Sequence, residues 1–222
     1  MSHGAELRQT PQSLVNHPKT SRLIAVSAGS ILLFALFIYG CGNSNTSKQI
    51  EPVYDKTGRL QLLKYDANNN GRPETFSYMD GGRIVRIEID KDEDGKIDRW
   101  EYYDQNQKLT KVGFSRENDG TVDAWSYPRA DGSTDRIEFS TRRDGKVTRT
   151  EYYEKDAIVR AEEDADEDGT VDKWETYQDG HLTSVSFDAE HAGRPTNRLI
   201  YTADGNATAE HVDAAGHWIA QK

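Results

Sequence analysis

Large apolar side chains occur at every second position in short segments over most of the chain beyond residue 50, with charged or hydroxyl-bearing residues between them. Trp100 and Tyr102 form one such pair, and Val112 and Phe114 form another. Alternation with a period of two is typical of a β-strand that buries one face. No segment shows the sustained spacing of three and four that marks an amphipathic helix. The pattern therefore predicts an all-β protein, an antiparallel meander with one apolar and one polar face.

Glycine residues mark a repeat in the same part of the chain. They recur at intervals of 23 to 25 residues, at positions 71, 95, 120, 145, 169, 193 and 216. Each unit reads as a loop, a strand, a tight turn and a second strand, as in 90–98, 99–103, 104–107 and 109–114. Asp–Gly pairs such as 131–132 and 179–180 suit hairpin turns, because both residue types tolerate positive φ. We predict about six to seven β-hairpin repeats with a period of 24–25 residues.

Aromatic and aliphatic residues of successive strands are expected to share the buried face. Trp100, Trp125 and Trp174 occupy equivalent places in three units, and the return strands carry residues such as Val112 and Ile137. To cover this face the sheet must roll up, close on itself or remain an open ribbon, and periodicity alone does not choose among these.

Composition limits the core and the partners. Hydrophobic residues make up 35% of the chain and charged residues 30%, so the core must be thin. The formal net charge of -10 argues against nucleic acid and anionic membrane surfaces as partners, because phosphate binding needs a basic face. Cations are the natural counterpart of such a chain.

An uncharged apolar segment, residues 23–39, precedes the single cysteine, Cys41. Basic residues lie before the segment and a polar stretch follows the cysteine, so residues 1–40 resemble a bacterial lipoprotein signal with Cys41 as the lipidated residue. The alternative is an uncleaved membrane anchor. Either interpretation divides the chain into a signal or anchor helix at 1–40, a polar tether at 41–50 and a repeat domain at 51–222. It also predicts a membrane-anchored protein of the bacterial cell envelope, periplasmic or surface-exposed.

Two loops carry acidic residues with the spacing of calcium ligands. Side chains at positions one, three, five, nine and twelve supply oxygen, position seven supplies a carbonyl, and a glycine at position six allows the turn. The first loop contains Asp90, Asp92, Asp94, Lys96 through its carbonyl, Asp98 and Glu101. The second loop contains Asp164, Asp166, Asp168, Thr170 through its carbonyl, Asp172 and Glu175. Flexible loops with about seven oxygen ligands favour Ca2+ over Mg2+, and the absence of a Cys or paired His set disfavours zinc.

These twelve-residue loops resemble the calcium loops of EF-hand proteins. The flanking residues alternate as strands, so the resemblance implies a strand–loop–strand calcium site rather than a helix-opening sensor. The wider repeat is similar to the YD repeats of bacterial toxin shells and to MORN-type hairpins, as residues 53–60 and 64–66 illustrate. That likeness implies a hairpin architecture and little about function.

The remaining loops carry fewer ligands. A weaker calcium site is predicted from Asp66, Asn68, Asn70 and Glu74. The loop that starts at Ser115 is weaker still, and those at Ser140 and Asp188 are expected to be empty. All of them keep the glycine, so Gly71, Gly120, Gly145 and Gly193 are expected in left-handed backbone conformations.

The sequence favours a binding role over catalysis. We expect a calcium-stabilised repeat scaffold, anchored to the membrane through Cys41 or residues 23–39, that presents a surface to an unidentified protein or glycan. One alternative is a glycan-binding module that uses the aromatic row, and another is a partner of a secreted YD-repeat toxin. No phosphate-binding glycine loop or nucleophile elbow is present in the sequence, so we expect no enzyme.

Overall fold

The structure is a computed structural model that describes residues 49–221. Within these residues, fifteen antiparallel strands form one sheet in which every strand pairs with the next along the chain. The strands are β1 (Ile50–Tyr54), β2 (Leu60–Tyr65), β3 (Thr75–Asp80), β4 (Arg83–Ile89), β5 (Arg99–Tyr103), β6 (Leu109–Phe114), β7 (Ala124–Pro128), β8 (Thr134–Phe139), β9 (Arg149–Glu154), β10 (Ala157–Glu163), β11 (Lys173–Gln178), β12 (His181–Phe187), β13 (Asn197–Tyr201), β14 (Ala207–Val212) and β15 (Trp218–Ala220). The predicted all-β meander is confirmed.

Long loops join successive hairpins at one end of the strands, and tight turns close the hairpins at the other end. The loops are loop 1 (66–74), loop 2 (90–98), loop 3 (115–123), loop 4 (140–148), loop 5 (164–172) and loop 6 (188–196). Backbone hydrogen bonds link neighbouring loops. The N–H of the first residue in a loop donates to the carbonyl oxygen of the ninth residue in the preceding loop. Asp90 donates to Glu74 at 2.8 Å and Ser115 donates to Asp98 at 2.9 Å. The six loops therefore form a row along one end of the sheet.

Two positions in every loop have left-handed backbone conformations. The sixth residue is a glycine with φ between +69° and +94°, so the expectation for the four glycines of the poorer loops is confirmed. The fourth residue also has positive φ, although it is not glycine: Asn69, Glu93, Asn118, Arg143, Glu167 and His191. Asparagine tolerates this conformation, but the glutamate and arginine side chains do so only where the loop requires it.

The tryptophans and the aliphatic residues of the return strands lie on opposite faces, so the expectation that they share one face is wrong. Trp100 pairs with Gly113, and Val112 pairs with Glu101. The cause is a β-bulge, because Tyr103 pairs with Leu109 but Tyr102 pairs with Lys111, which leaves one residue unpaired. A shift of one residue moves every side chain to the other face. Register shifts of this kind occur in each hairpin from β1–β2 to β11–β12.

Both faces mix apolar and charged residues, which differs from the predicted single apolar face. A row across the aliphatic face contains Ile87, Glu101, Val112, Ser126, Ile137, Glu151, Ala161, Glu175 and Val185. A row across the aromatic face contains Glu88, Trp100, Gly113, Trp125, Glu138, Thr150, Glu162 and Trp174. Val112, Ala124, Ile137, Ala161 and Val185 are the buried hydrophobic residues of the described chain. The core is thin, as the composition predicts.

Gly113 is buried on the aromatic face against the ring of Trp125. A Cβ atom at this position would lie 2.7 Å from Cζ3 of Trp125, so Gly113→Ala is expected to displace the indole and to destabilise the domain by about 1–3 kcal/mol. Urea unfolding measures this loss, and near-UV circular dichroism reports the tryptophan. Gly82→Ala is the matched control, because no atom lies within 4 Å of its added Cβ. Equal stability of the two variants would contradict the packing described here.

The predicted signal or anchor helix, residues 23–39, Cys41 and most of the tether lie outside the described residues. Residues 49–221 contain no helical segment with the length and hydropathy of a membrane span.

Candidate metal centre

Loop 2 gathers three carboxylates directly after β4. One oxygen each from Asp90, Asp92 and Asp94 lies within 4.8 Å of the others. Side-chain hydrogen bonds within the loop hold this arrangement, since Gly95 N–H donates to Asp90 Oδ2 at 2.9 Å and Lys96 N–H donates to Asp94 Oδ1 at 2.8 Å. The turn that brings the carboxylates together thus uses only some of their oxygens.

Two buried carboxylate oxygens in loop 2 have no donor. Asp90 is only 7% exposed, yet its Oδ1 has no hydrogen-bond partner among residues 49–221. Asp98 Oδ2 accepts the N–H of Lys91 at 2.7 Å, but its Oδ1 also has no partner. Burying an ionised oxygen without a donor is costly, and a bound cation removes that cost. The unpartnered oxygens of Asp90 and Asp98 therefore fit a cation bound in loop 2.

Loop 5 repeats this arrangement. Asp164, Asp166 and Asp172 bring one oxygen each within 4.8 Å of one another, and Asp164 Oδ1 is buried without a partner. Asp172 Oδ2 accepts the N–H of Ala165 at 2.9 Å. Asp168 belongs to a second group with Asp166 and His191, in which all three side chains are exposed. The structure thus brings all four predicted aspartates of this loop into one region.

The seventh residues contribute to the turns through their backbone. Thr170 N–H donates to Asp168 Oδ1 at 2.7 Å, as Lys96 does to Asp94 in loop 2. Ligation by the carbonyls of Lys96 and Thr170 stays a prediction. The Lys96 ammonium lies 3.2 Å from Asp94 Oδ2 and is half exposed, so a cation in loop 2 competes with it for that oxygen.

The twelfth residues, Glu101 and Glu175, lie in strands on the aliphatic face and belong to none of the acidic groups described above, so their ligation of a metal stays a prediction. Glu101 accepts hydrogen bonds from Arg99 Nε at 2.7 Å and from the Tyr103 hydroxyl at 2.5 Å. Glu175 accepts from Arg149, Lys173 and Tyr177.

Glu151 explains why a glutamate recurs at the twelfth place. It occupies that place after loop 4, which lacks acids at its first and ninth positions, and it accepts from Arg149 and the Tyr153 hydroxyl in the same way as Glu101. The recurrence therefore has a structural cause in the sheet, and the metal site proposed below is built without Glu101 and Glu175.

Loop 1 satisfies more of its own oxygens. Asp66 is buried, and its two oxygens accept the N–H groups of Asn70 and Gly71. Glu74 Oε1 accepts the N–H of Ala67 at 2.6 Å, whereas Oε2 is buried without a partner. The amides of Asn68 and Asn70 both donate to Glu93, which belongs to loop 2.

Loop 3 brings two arginines against a buried aspartate, a feature that the sequence interpretation missed. The carboxylate of Asp123 has no exposed surface, and it contacts Arg116 Nε at 3.1 Å and Arg143 Nε at 2.9 Å. The N–H of Thr121 and the guanidinium of Arg143 lower the pKa of Asp119 to about 2. The signal in the sequence was an aspartate at the ninth position of loop 3, Asp123, together with arginines at 116 and 143.

Loops 4 and 6 contain no buried side-chain oxygen that lacks a hydrogen-bond partner. In loop 4 the hydroxyls of Thr141 and Thr148 lie 2.7 Å apart and satisfy each other. In loop 6 the buried Asp188 accepts N–H groups of Ala192 and Gly193, and these hydrogen bonds lower its pKa.

Comparison with known proteins adds little. No protein-family model and no curated protein matches the chain. Solved structures that resemble it include TarM, with a TM-score of 0.35, and a mutant of S. aureus TarM in complex with Fondaparinux, alpha-GlcNAc-glycerol and UDP, with a TM-score of 0.36. Both are 14% identical, and the match covers 47% of this chain and 20% of theirs. The chain thus spans about a fifth of their length, and a likeness this weak carries no argument here.

Proposed function

We propose that this protein is a calcium-binding repeat protein of the bacterial cell envelope, in which Ca2+ at loops 2 and 5 stabilises the sheet. The unpartnered, buried Oδ1 of Asp90 is the observation that carries the proposal, because the same carboxyl group brings one oxygen within 4.8 Å of ligand oxygens from Asp92 and Asp94. Asp98 Oδ1 and Asp164 Oδ1 are unpartnered in the same way within the described residues. Clusters of carboxylate oxygens on flexible loops suit Ca2+ better than Mg2+.

A cation in loop 2 would connect the ends of two neighbouring strands. Asp90 directly follows β4 and Asp98 directly precedes β5. Since the unfolded chain does not hold these carboxylates together, binding stabilises the folded state by mass action. Calcium at ten times its dissociation constant contributes roughly 1.4 kcal/mol per site, a useful amount for a sheet with so few buried hydrophobic residues.

A structural ion leaves the rest of the sheet free to present a surface. Extracellular calcium modules bind at about 0.1–1 mM, so sites of this kind are filled outside the cell. We therefore place the domain in the envelope, anchored through Cys41 or residues 23–39, with a protein or glycan as its partner.

Glycan binding by the aromatic row is less well supported by the geometry, because cations cover many of the ring faces. Lys111 Nζ lies 4.2 Å from the centroid of Trp125, Arg136 lies 3.9 Å from that of Tyr127, and Arg198 lies 4.3 Å from that of Trp218. A sugar ring stacking on these residues would first have to displace the cation.

Calcium titration of the protein by calorimetry tests the proposal. We expect two sites per chain, with thermal unfolding shifted upward by calcium and downward by chelator. Asp94→Asn is expected to weaken one site by roughly tenfold, because calcium affinity follows ligand charge. Asp144→Asn is the matched control. Asp144 accepts the N–H of Lys146 at 2.9 Å just as Asp94 accepts that of Lys96, but it lies in loop 4. Absence of binding at about 10 mM calcium, well above the range of extracellular modules, would refute the proposal.

A further inference from the structure

In loops 2 to 6 the fourth residue contacts the loop before it. Glu93 accepts the amides of Asn68 and Asn70, and Asn118 donates to Asp92 Oδ2 at 3.4 Å. The same relation links three further pairs: Arg143 with Asp119, Glu167 with Arg142, and His191 with Asp166. Each contact reaches the third or fifth position of the preceding loop, where a calcium loop carries its side-chain ligands. The left-handed backbone at the fourth position, with φ between +51° and +64°, is common to all of these residues.

Arg143 is the positively charged residue at the fourth position of loop 4, and it contacts two carboxylates of loop 3. Its Nε lies 2.9 Å from Oδ2 of Asp123, the ninth residue of loop 3, and its Nη2 contacts Asp119, the fifth residue. Asp123 Oδ2 and Oδ1 of Asp98, the ninth residue of loop 2, both lack a hydrogen-bond donor in the described part of the chain, but Asp123 Oδ2 forms an ion pair with the guanidinium. The guanidinium therefore lies against the same ligand positions that we propose hold Ca2+ in loop 2.

We infer that Arg143, the fourth residue of loop 4, is the resident cation of loop 3 and occupies the place that Ca2+ takes in loop 2. This inference rests on the proposed function, since it assigns Ca2+ to loops 2 and 5 and excludes it from loop 3. Loop 3 still carries Ser115, Glu117, Asp119 and Asp123 at its first, third, fifth and ninth positions. Removal of the guanidinium frees Asp119 and one oxygen of the fully buried Asp123 for a metal ion.

Calorimetric calcium titration of the full chain in detergent micelles tests the inference. Arg143→Asn uses a residue type that the fourth position accepts in loops 1 and 3, as Asn69 and Asn118. We expect this variant to bind one more Ca2+ per chain than the wild type. Arg143→Gln, which retains more of the aliphatic stem, is expected to gain the same site and serves if the asparagine variant does not fold. Arg143→Lys keeps the charge and is expected to gain none.

Lys155→Asn controls for the change in net charge. Lys155 also has positive φ, at +49°, and is exposed, but it lies in the turn between β9 and β10. Its replacement is expected to leave the number of sites unchanged. A folded neutral variant of Arg143 with the wild-type number of sites overturns the inference while the proposed function stands. A wild type without any site refutes the proposed function itself, and this inference falls with it.

Discussion

Replacement of Arg149 by methionine is expected to lower the free energy of unfolding by about 3–5 kcal/mol, the usual cost of removing one partner from a buried ionic cluster. The Arg149 side chain is only 17% exposed, and it contacts three carboxylates. They belong to Glu151 on its own strand β9, at 3.0 Å, Glu163 on β10, at 3.2 Å, and Glu175 on β11, at 2.6 Å. Without the guanidinium, three carboxylates would remain close together on the aliphatic face with Lys173 as the remaining cation in contact with two of them.

Urea unfolding in chelator measures this loss without a contribution from calcium. Arg160→Met is the matched control. Arg160 lies on the aromatic face, is 48% exposed and forms an ion pair with one carboxylate, that of Glu162. It also lies over the ring of Tyr152, and its loss is expected to cost about 1 kcal/mol or less. Arg149→Met combined with Glu175→Gln is expected to recover part of the loss, because one uncompensated charge is removed. Similar effects of Arg149→Met and Arg160→Met would contradict the central role of Arg149.

Acid is expected to destabilise the domain through Glu175 as the pH falls from about 4.5 toward 2. Burial raises the pKa of Glu175, but hydrogen bonds from Arg149, Lys173 and Tyr177 outweigh burial and lower the pKa to about 2. A carboxyl group with a lowered folded-state pKa stabilises the protein above its unfolded-state pKa. That stability is lost as the pH falls through the folded-state pKa. The shift from 4.5 to about 2 corresponds to roughly 3 kcal/mol.

Unfolding free energies measured in chelator across this pH range check the expectation. Glu175→Gln is expected to reduce the slope by the contribution of Glu175, because glutamine does not titrate. Glu190→Gln removes a carboxyl group from an exposed position in loop 6 and is expected to keep the wild-type slope. A wild-type slope in Glu175→Gln would show that other carboxyl groups dominate the acid transition.

Local features of the fold followed from the sequence alone. The two strands after loop 2 begin and end at the predicted residues, since the predicted strands 99–103 and 109–114 are β5 and β6. Alternation and turn residues act over a few neighbouring positions, so one sequence contains the information needed. The glycines at the sixth loop position were predictable for the same reason, because left-handed backbone is a local requirement.

The register between strands was not predictable in this way. A continuous ladder from the pairing of Tyr103 with Leu109 would place Trp100 opposite Val112, on the face that the alternation suggests. The bulge before Lys111 moves Val112 opposite Glu101 instead. A single unpaired residue thus decides which side chains share a face, and no period of the sequence records it.

The same distinction between local features and long-range contacts applies to the candidate metal site. The sequence by itself determined that aspartates converge in loops 2 and 5, because their spacing within one turn is local. Tertiary structure alone decided that Glu101 and Glu175 join ionic clusters on the sheet, and that Arg143 from loop 4 meets the charge of loop 3. Those contacts depend on pairing between strands and on stacking of loops about 24 residues apart, where many alternative partners compete and only the assembled sheet selects one.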